Sequence, residues 1–454
     1  MKNLDVQTLT LFANGHHTNG AKGYVSRVVT DSRKVAPGDL FVALKGEKFD
    51  AHDYLSEVVA SGATACLVQR GRGTSNESCA MIEVDDTLTG LQDLARGYRS
   101  ILQPRIVALT GSNGKTSTKD LTAAIMSCKF KTHATQGNLN NHIGVPLTLL
   151  SLEEEHECGI VEMGMNHAGE IKVLVDIALP DAAIVTNIGM AHIEYLGTQD
   201  AIAWEKGTLP SNIPADGIVV LNANDKYSDL IARHCQANVY RAGMNAGDVR
   251  AFDLKTKSNG TAFKLDFSGE IIDAFLPVMG EHMVGNAALA ACMGWAHGIS
   301  PTEIAEALNK SKLTGGRMET KTFRGIQFID DSYNANPDSM KAGLTALASL
   351  SNEGHRIAIL GQMGELGHHA IEGHRSVGRH AAQLKIDAVF TVGGEASLIS
   401  DEAKAGGLCE SLHFASQEAC AAHLKRVLKP GDAVLLKGSR SAGMEKVLTH
   451  YLNS

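Results

Sequence analysis

With 454 residues the chain is too long for one hydrophobic core, and its length suggests about three domains. It is 44% hydrophobic and 20% charged, as soluble globular proteins are, and it holds no apolar run long enough to cross a bilayer, so membrane insertion is not expected. A formal net charge of -8 argues against a general nucleic-acid binder, which carries a basic surplus, but leaves room for small anions held by local loops.

The first residues, MKNLDVQTLTLFANG, show no basic-then-apolar signal pattern, so export is not expected. Eight cysteines are scattered without C-x-x-C pairs, and they read as buried free thiols in a reducing cytoplasm. Residues 23–84 read as a small α/β unit with strands at 25–29, 39–44, 65–68 and 81–84 and a helix at 54–61. Polar residues gather at its strand ends, in Thr30-Asp31-Ser32-Arg33, in Lys45-Gly46 and in Asp50-Ala51-His52-Asp53. Turn chemistry accounts for them as well as ligand contact does. A helix over 86–102 then leads to Pro104, the entry to the next domain.

The stretch from Arg105 to Ser117 carries the strongest signal. An apolar run ends in Thr110-Gly111-Ser112-Asn113-Gly114-Lys115-Thr116-Ser117, followed by a helix to about Lys129. Such a loop aims backbone N–H groups and a helix dipole at an anion, with Lys115 reaching outer phosphates and the Thr116 hydroxyl placed for magnesium. The general phosphate-loop pattern has a glycine where this chain has Leu109, so the loop is a shortened G-x-x-G-K-T form.

Downstream, apolar strands alternate with helical segments, which predicts a mostly parallel sheet. Its clearest strands are 159–164, 182–187 and 217–221. Ligands in such sheets gather beyond the carboxyl ends of strands, where Glu162, Asn187 and His192 fall. Residues 251–277 read as antiparallel strands or a hairpin, followed by Gly280 to Asn286 and an Ala-rich helix to about His297. The pattern changes around Leu313 to Arg317, and a second doubly wound domain follows with strands at 326–329, 356–360, 388–392 and 433–437. The expected boundaries are therefore 1–85, 86–314 and 315–454.

Several residues bear on what the loop does with its nucleotide. Glu162 and His192 are candidates to support magnesium, which takes oxygen ligands and few of them from protein. Lys206 alone reads as a solvated helix charge. Asp330-Asp331-Ser332-Tyr333-Asn334-Ala335-Asn336-Pro337 packs acids, an aromatic and amides after a strand, with Asp331 suited to ribose hydroxyls and Tyr333 to a base. An Asx-rich turn before a helix is the bland alternative. His368, His369, His374 and His380 lack zinc spacing and read as surface residues.

Taken together these motifs resemble the Mur ligases of bacterial cell-wall synthesis across nearly the whole chain. The shortened loop Thr110 to Thr116 is that family's own form. Asp31-Ser32-Arg33, Gly38 to Gly46, Gly137-Asn138-Leu139-Asn140-Asn141 with Gly144-Val145-Pro146, Asp331 to Pro337 and Lys437-Gly438-Ser439-Arg440 are most similar to the branch that adds D-alanyl-D-alanine. The resemblance implies a small α/β UDP-substrate domain, a central P-loop ATPase-like domain and a C-terminal Rossmann-like domain receiving the dipeptide. It implies ATP on Gly111 to Ser117, a pair of magnesium ions near Thr116, Glu162 and His192, and carbamylation of Lys206 as a further metal support. The family often has Lys-Gly-Glu at that lysine, where this chain has Lys206-Gly207-Thr208. Asn286, Arg317, Asp331, Tyr333 and Asn334 are implied nucleotide contacts. Ser32, Lys45, Gly46, Asn138, Asn140 and Asn141 are implied contacts for UDP-N-acetylmuramoyl-tripeptide. The implied reaction is ATP-dependent amide formation through an acyl phosphate in a monomeric cytoplasmic enzyme, with closure of the C-terminal domain excluding water. A ligase with another acceptor, or a protein that holds ATP without chemistry, are the competing readings.

Overall fold

The computed structural model describes residues 1–74, 78–257 and 259–453. The chain divides into two compact units, and each is described by itself. The first comprises Met1–Leu109, Phe130–Met165 and Gly169–Ala183; the second comprises Thr110–Lys129, Asn166–Ala168 and Ile184–Ser454.

In the first unit, Arg27–Val29, Asp39–Val42, Ala65–Gln69 and Ala80–Val84 lie side by side and parallel, with His16–His17 antiparallel at the far edge. The inner strands are apolar between a buried Asp39 at the start of one and an exposed Gln69 at the end of the other, as parallel sheets covered on both faces are. Phe41, Cys66, Val68 and Met81 form one core with Leu55 and Val58 of the helix Leu55–Ala60. The continuous strand expected at 25–29 breaks at Ser26. Its first part, Tyr24–Val25, pairs antiparallel with Leu4–Asp5, while Arg27–Val29 turns to Asp39–Val42. Asp86 caps the helix Thr87–Leu102 by accepting from Thr89 N, so the expected start holds within one residue. Beyond it, Cys158–Glu162 lies between Arg105–Thr110 and Thr132–Ala134, all parallel.

The second unit holds two sheets. In one, Ile218–Asn222 and Asn238–Met244 run parallel and lead into the antiparallel run Val249–Lys257, Gly260–Phe267 and Glu270–Leu276. The expected antiparallel region is thus a three-stranded meander. The other sheet has the order Glu319–Phe323, Ile326–Asp331, Ala433–Lys437, Arg356–Gly361, Ala388–Val392, Glu410–Phe414, parallel except for its first edge. Phe328, Ile359, Phe390 and Leu436 fill its core with Val447 and Tyr451 of the helix Glu445–Leu452.

Two expectations need correction. His374 is fully buried rather than on the surface: its Nε2 accepts from Met363 N at 3.0 Å and its Nδ1 lies 2.7 Å from Ala370 O, so it is a satisfied core histidine. All eight cysteines are free, but Cys128 and Cys409 are exposed.

Candidate functional site

The glycine loop is built from both ends. Gly111 has φ +151°, and a Cβ there would stand 1.8 Å from Thr186 Oγ1, so no side chain fits. Thr186 Oγ1 donates to Asn113 O at 2.6 Å, Ser112 N donates to Asn187 O at 2.8 Å, and Asn113 N donates to the Asn187 side chain at 2.9 Å. The residues after the strand Ala182–Val185 therefore hold the loop by its backbone. Gly114, at φ +77°, leads into the helix Lys115–Met126 without a side-chain cap, which leaves the first N–H groups of that helix suited to an anion. Asn286, from the helix Glu281–Ala296, lies where a side chain on Gly114 would stand. Lys115 Nζ donates to Gly111 O at 2.7 Å, curling over its own loop.

Arg317 and the stretch after Ile326–Asp331 meet this loop. Arg317 Nη2 donates to Thr116 Oγ1 at 2.9 Å, and its guanidinium lies 4.1 Å from the Tyr333 ring centroid, within cation–π range. Asn336 Nδ2 donates to Asn113 Oδ1 at 2.7 Å, while the Asn336 carbonyl oxygen Oδ1 accepts from Ser339 N and caps the helix Pro337–Ala348. Asp331 accepts from Lys437 Nζ at 2.5 Å and from Met318 N at 3.2 Å. Of the nucleotide candidates in this unit, Gly111 to Ser117, Asn286, Arg317 and Tyr333 form one connected set. Asp331 and Asn334 join it through the turn that carries Tyr333.

Lys115, His192 and Lys206 lie within electrostatic reach of one another. Lys206, from the helix Gln199–Ser211, is fully enclosed, and its Nζ has no hydrogen-bond partner among the described residues. Burial drives its pKa well below that of an ordinary lysine, the charge of Lys115 adds to this, and Glu205 opposes it. His192, at φ +65°, has Nδ1 2.7 Å from Glu365 Oε2. Burial lowers its pKa against the pull of Glu365. The sequence pointed to neither Glu365 nor the Asn113–Asn336 contact; both join residues far apart in the chain, and only Pro337 behind Asn336 advertised a helix start.

The first unit places its own candidates. Glu162 is 2% exposed at the end of its strand; Oε1 accepts from Asn140 Nδ2 at 2.8 Å, and Oε2 is buried without a hydrogen-bond partner among the described residues. An orphaned, buried carboxylate oxygen is the donor that a hard divalent cation takes. Among the described residues, no three His, Cys, Asp or Glu side chains form a ready cation cage. An ion that arrives on phosphates keeps several waters and needs no such cage. Asn140 thus faces Glu162, Asn141 Oδ1 accepts from Gly144 N at 2.9 Å, and Asn138 is exposed. Ser32 and Lys45-Gly46 follow the carboxyl ends of two adjacent parallel strands, so they share one end of that sheet. Paired hydrogen bonds from the Arg33 side chain hold the Asp31 pKa down to about 2, and Asp31 Oδ1 also accepts from Arg33 N at 3.1 Å in the turn carrying Ser32.

Residues 24–99 match the model of the Mur ligase family catalytic domain, 109–294 the Mur ligase middle domain, and 316–440 the Mur ligase glutamate ligase domain. The chain is 39% identical over 454 residues to the UDP-N-acetylmuramoyl-tripeptide–D-alanyl-D-alanine ligase of Escherichia coli, covering 99% of this chain and 98% of that one. It is 37% identical over 429 residues to the ligase of the same name from Bacillus subtilis, covering 94% and 93%. A crystal structure of MurF from Acinetobacter baumannii superposes with a TM-score of 0.92 at 31% identity over the whole of both chains. MurF from Thermotoga maritima in complex with ADP gives 0.84 at 28% identity, over 94% of this chain and 97% of that one. The fold is the three-domain α/β fold of these enzymes, and the chain belongs to the Mur ligase family.

Proposed function

We propose that the protein joins D-alanyl-D-alanine to UDP-N-acetylmuramoyl-tripeptide at the expense of ATP, giving the UDP-muramoyl-pentapeptide for peptidoglycan synthesis. Similarity over 99% of the chain to a ligase of that name carries the reading, and the loop from Gly111 to Ser117 supports it. We assign 1–85 to the UDP-linked substrate, 86–314 to ATP and 315–454 to the incoming dipeptide. A monomer in the cytoplasm, where ATP and UDP-linked precursors are found, completes the reading.

A carboxylate is a poor acyl donor, because oxide is not a leaving group. The carboxylate oxygen of the tripeptide attacks the γ-phosphorus of ATP, the bond to the β-phosphate oxygen breaks, and ADP leaves. The amine of D-alanyl-D-alanine then attacks the acyl carbon, loses a proton, and phosphate departs from the tetrahedral adduct. Two anions must meet in the first step, so positive charge aimed at the phosphates is the main catalytic need. Lys115 exchanges its loop carbonyls for phosphate oxygens, Arg317 lies one hydrogen bond from Thr116, and Tyr333 steadies its guanidinium. Asn286, Asp331 and Asn334 complete the nucleoside contacts, while Ser32, Lys45, Gly46, Asn138 and Asn141 hold the UDP-linked substrate. Asn140 serves that substrate through the loop it anchors to Glu162.

In the second unit Thr116 and His192, and in the first unit Glu162, are each suited to support magnesium, of which a pair would neutralise phosphate charge when bound. Lys206 suits carbamylation. A buried amine that sheds its proton is nucleophilic toward carbon dioxide, and the carbamate formed would be an anionic oxygen donor where the neutral amine is none.

Purified protein with magnesium-ATP, UDP-muramoyl-tripeptide and D-alanyl-D-alanine should yield the pentapeptide by mass, with stoichiometric ADP and phosphate. Product with a single free amino acid but none with the dipeptide would refute the acceptor assignment. Lys115→Ala should lower kcat by about a thousandfold while leaving the circular-dichroism spectrum unchanged. Normal turnover in that variant would sink the mechanism.

A further inference from the structure

Lys437 lies at the carboxyl end of Ala433–Lys437, directly opposite Asp331 in the parallel register. It is 3% exposed, and its ammonium donates to Asp331 Oδ2 at 2.5 Å, Asn334 O at 3.1 Å and Asp331 O at 3.4 Å. An ammonium has three donors, and here all of them serve one turn. The stem has a prepared place: its Cδ lies 3.4 Å from where a Cβ on Gly343 would stand, in the helix Pro337–Ala348. The same turn carries Tyr333 beneath Arg317 and Asn336 against Asn113. Met318, next to Arg317, binds the second Asp331 oxygen. A single buried cation thus ties the carboxylate and the backbone of the segment that meets the phosphate loop.

We infer that Lys437 is a positioning residue for nucleotide binding, holding Asp331 and the 331–334 turn so that Asp331, Tyr333 and Arg317 are set before the nucleotide arrives. This rests on the reading that Asp331 and Tyr333 bind the nucleoside. A purely structural ion pair would stabilise the fold and touch all substrates alike. A positioning role is selective, because the ordering of this turn is paid for in advance only for ATP.

The test uses the full-length protein, with ADP affinity by calorimetry, melting temperature, and KM for each of the three substrates. Asp331→Asn comes first; it should weaken ADP by about tenfold or more. Unchanged ADP affinity in that variant would overturn the nucleoside assignment itself. Given that loss, Lys437→Met should also weaken ADP and raise KM for ATP by about tenfold, with KM for the UDP-tripeptide within about twofold. Lys437→Arg, which keeps the charge, should recover part of the loss, and it replaces the methionine variant if that fails to fold. Asp331→Asn/Lys437→Met should be no more than about twofold worse than Asp331→Asn alone, since both act through one contact. ADP affinity within about twofold of wild type in Lys437→Met, or in Lys437→Arg where the methionine variant does not fold, would overturn the role of Lys437, as would an equal rise in all three KM values.

Discussion

Lys206 is the residue whose surroundings most change its chemistry. A lysine in a helix reads as solvated charge from sequence, but this one is fully enclosed with no hydrogen bond to its ammonium among the described residues. Its folded pKa lies well below its unfolded one. Between those values the unfolded chain binds the extra proton, so stability rises with pH through that window and is lost as pH falls through the folded pKa. In magnesium-free, carbon-dioxide-free buffer near neutral pH, Lys206→Met should therefore melt about 2–4 °C above wild type, with the gap closing as pH approaches the unfolded value. A gap that is constant with pH in calorimetric scans would show that the amine does not titrate differently on folding. Lys115 and Thr116 were legible from sequence because their spacing has a direct chemical meaning. The enclosure of Lys206 was not, because burial is set by segments distant in the chain. Glu162 stands between: its strand end was readable, but its orphaned Oε2 was not.

At the scale of elements, the helix Pro337–Ala348 shows how one cap serves two purposes. Asn336 accepts from Ser339 N with its oxygen and donates to Asn113 with its nitrogen. Asn336→Asp keeps the acceptor and loses the donor, so stability should hold while ADP affinity falls several-fold. Asn336→Ala should lose both, at a stability cost of about 1 kcal/mol. Equal ADP affinity in wild type and the aspartate variant would mean that the Asn113 contact is incidental. Strands buried on both faces, such as Ala388–Val392 and Ala433–Lys437, were readable as apolar runs. The edge strands Glu319–Phe323 and Glu410–Phe414 were not, because their mostly solvent-facing residues are polar and blur the alternation.

For the whole molecule, three successive family matches follow the order along the chain that the motifs implied. A reading along the chain cannot see that Phe130–Met165 and Gly169–Ala183 group with the first 109 residues. That grouping comes from the chain returning to strands laid down earlier, as when Cys158–Glu162 pairs with Arg105–Thr110. Because the phosphate loop is held through Asn187, Asn336 and Arg317, nucleotide binding should be felt as global stability. Magnesium-ADP at about a hundred times its Kd should stabilise the protein by about 2.7 kcal/mol, read as a rise in melting temperature. Lys115→Ala should show little of that rise at the same concentration; a full rise would place the nucleotide elsewhere.

Gly111 has a consequence for how the gene can vary. The hydroxyl of Thr186 occupies the space that any side chain at 111 would need, and the same hydroxyl holds Asn113. No side chain can be added at 111 without displacing that hydroxyl, and no residue without a hydroxyl at 186 keeps the bond to Asn113. Every missense codon at 111 collides with Thr186, and clearing the collision by shortening 186 removes the bond that shapes the loop. A two-step mutational path must therefore cross a damaged intermediate whichever change comes first. An inhibitor that reads the bare backbone at Gly111 would rest on a position where any side chain collides with Thr186.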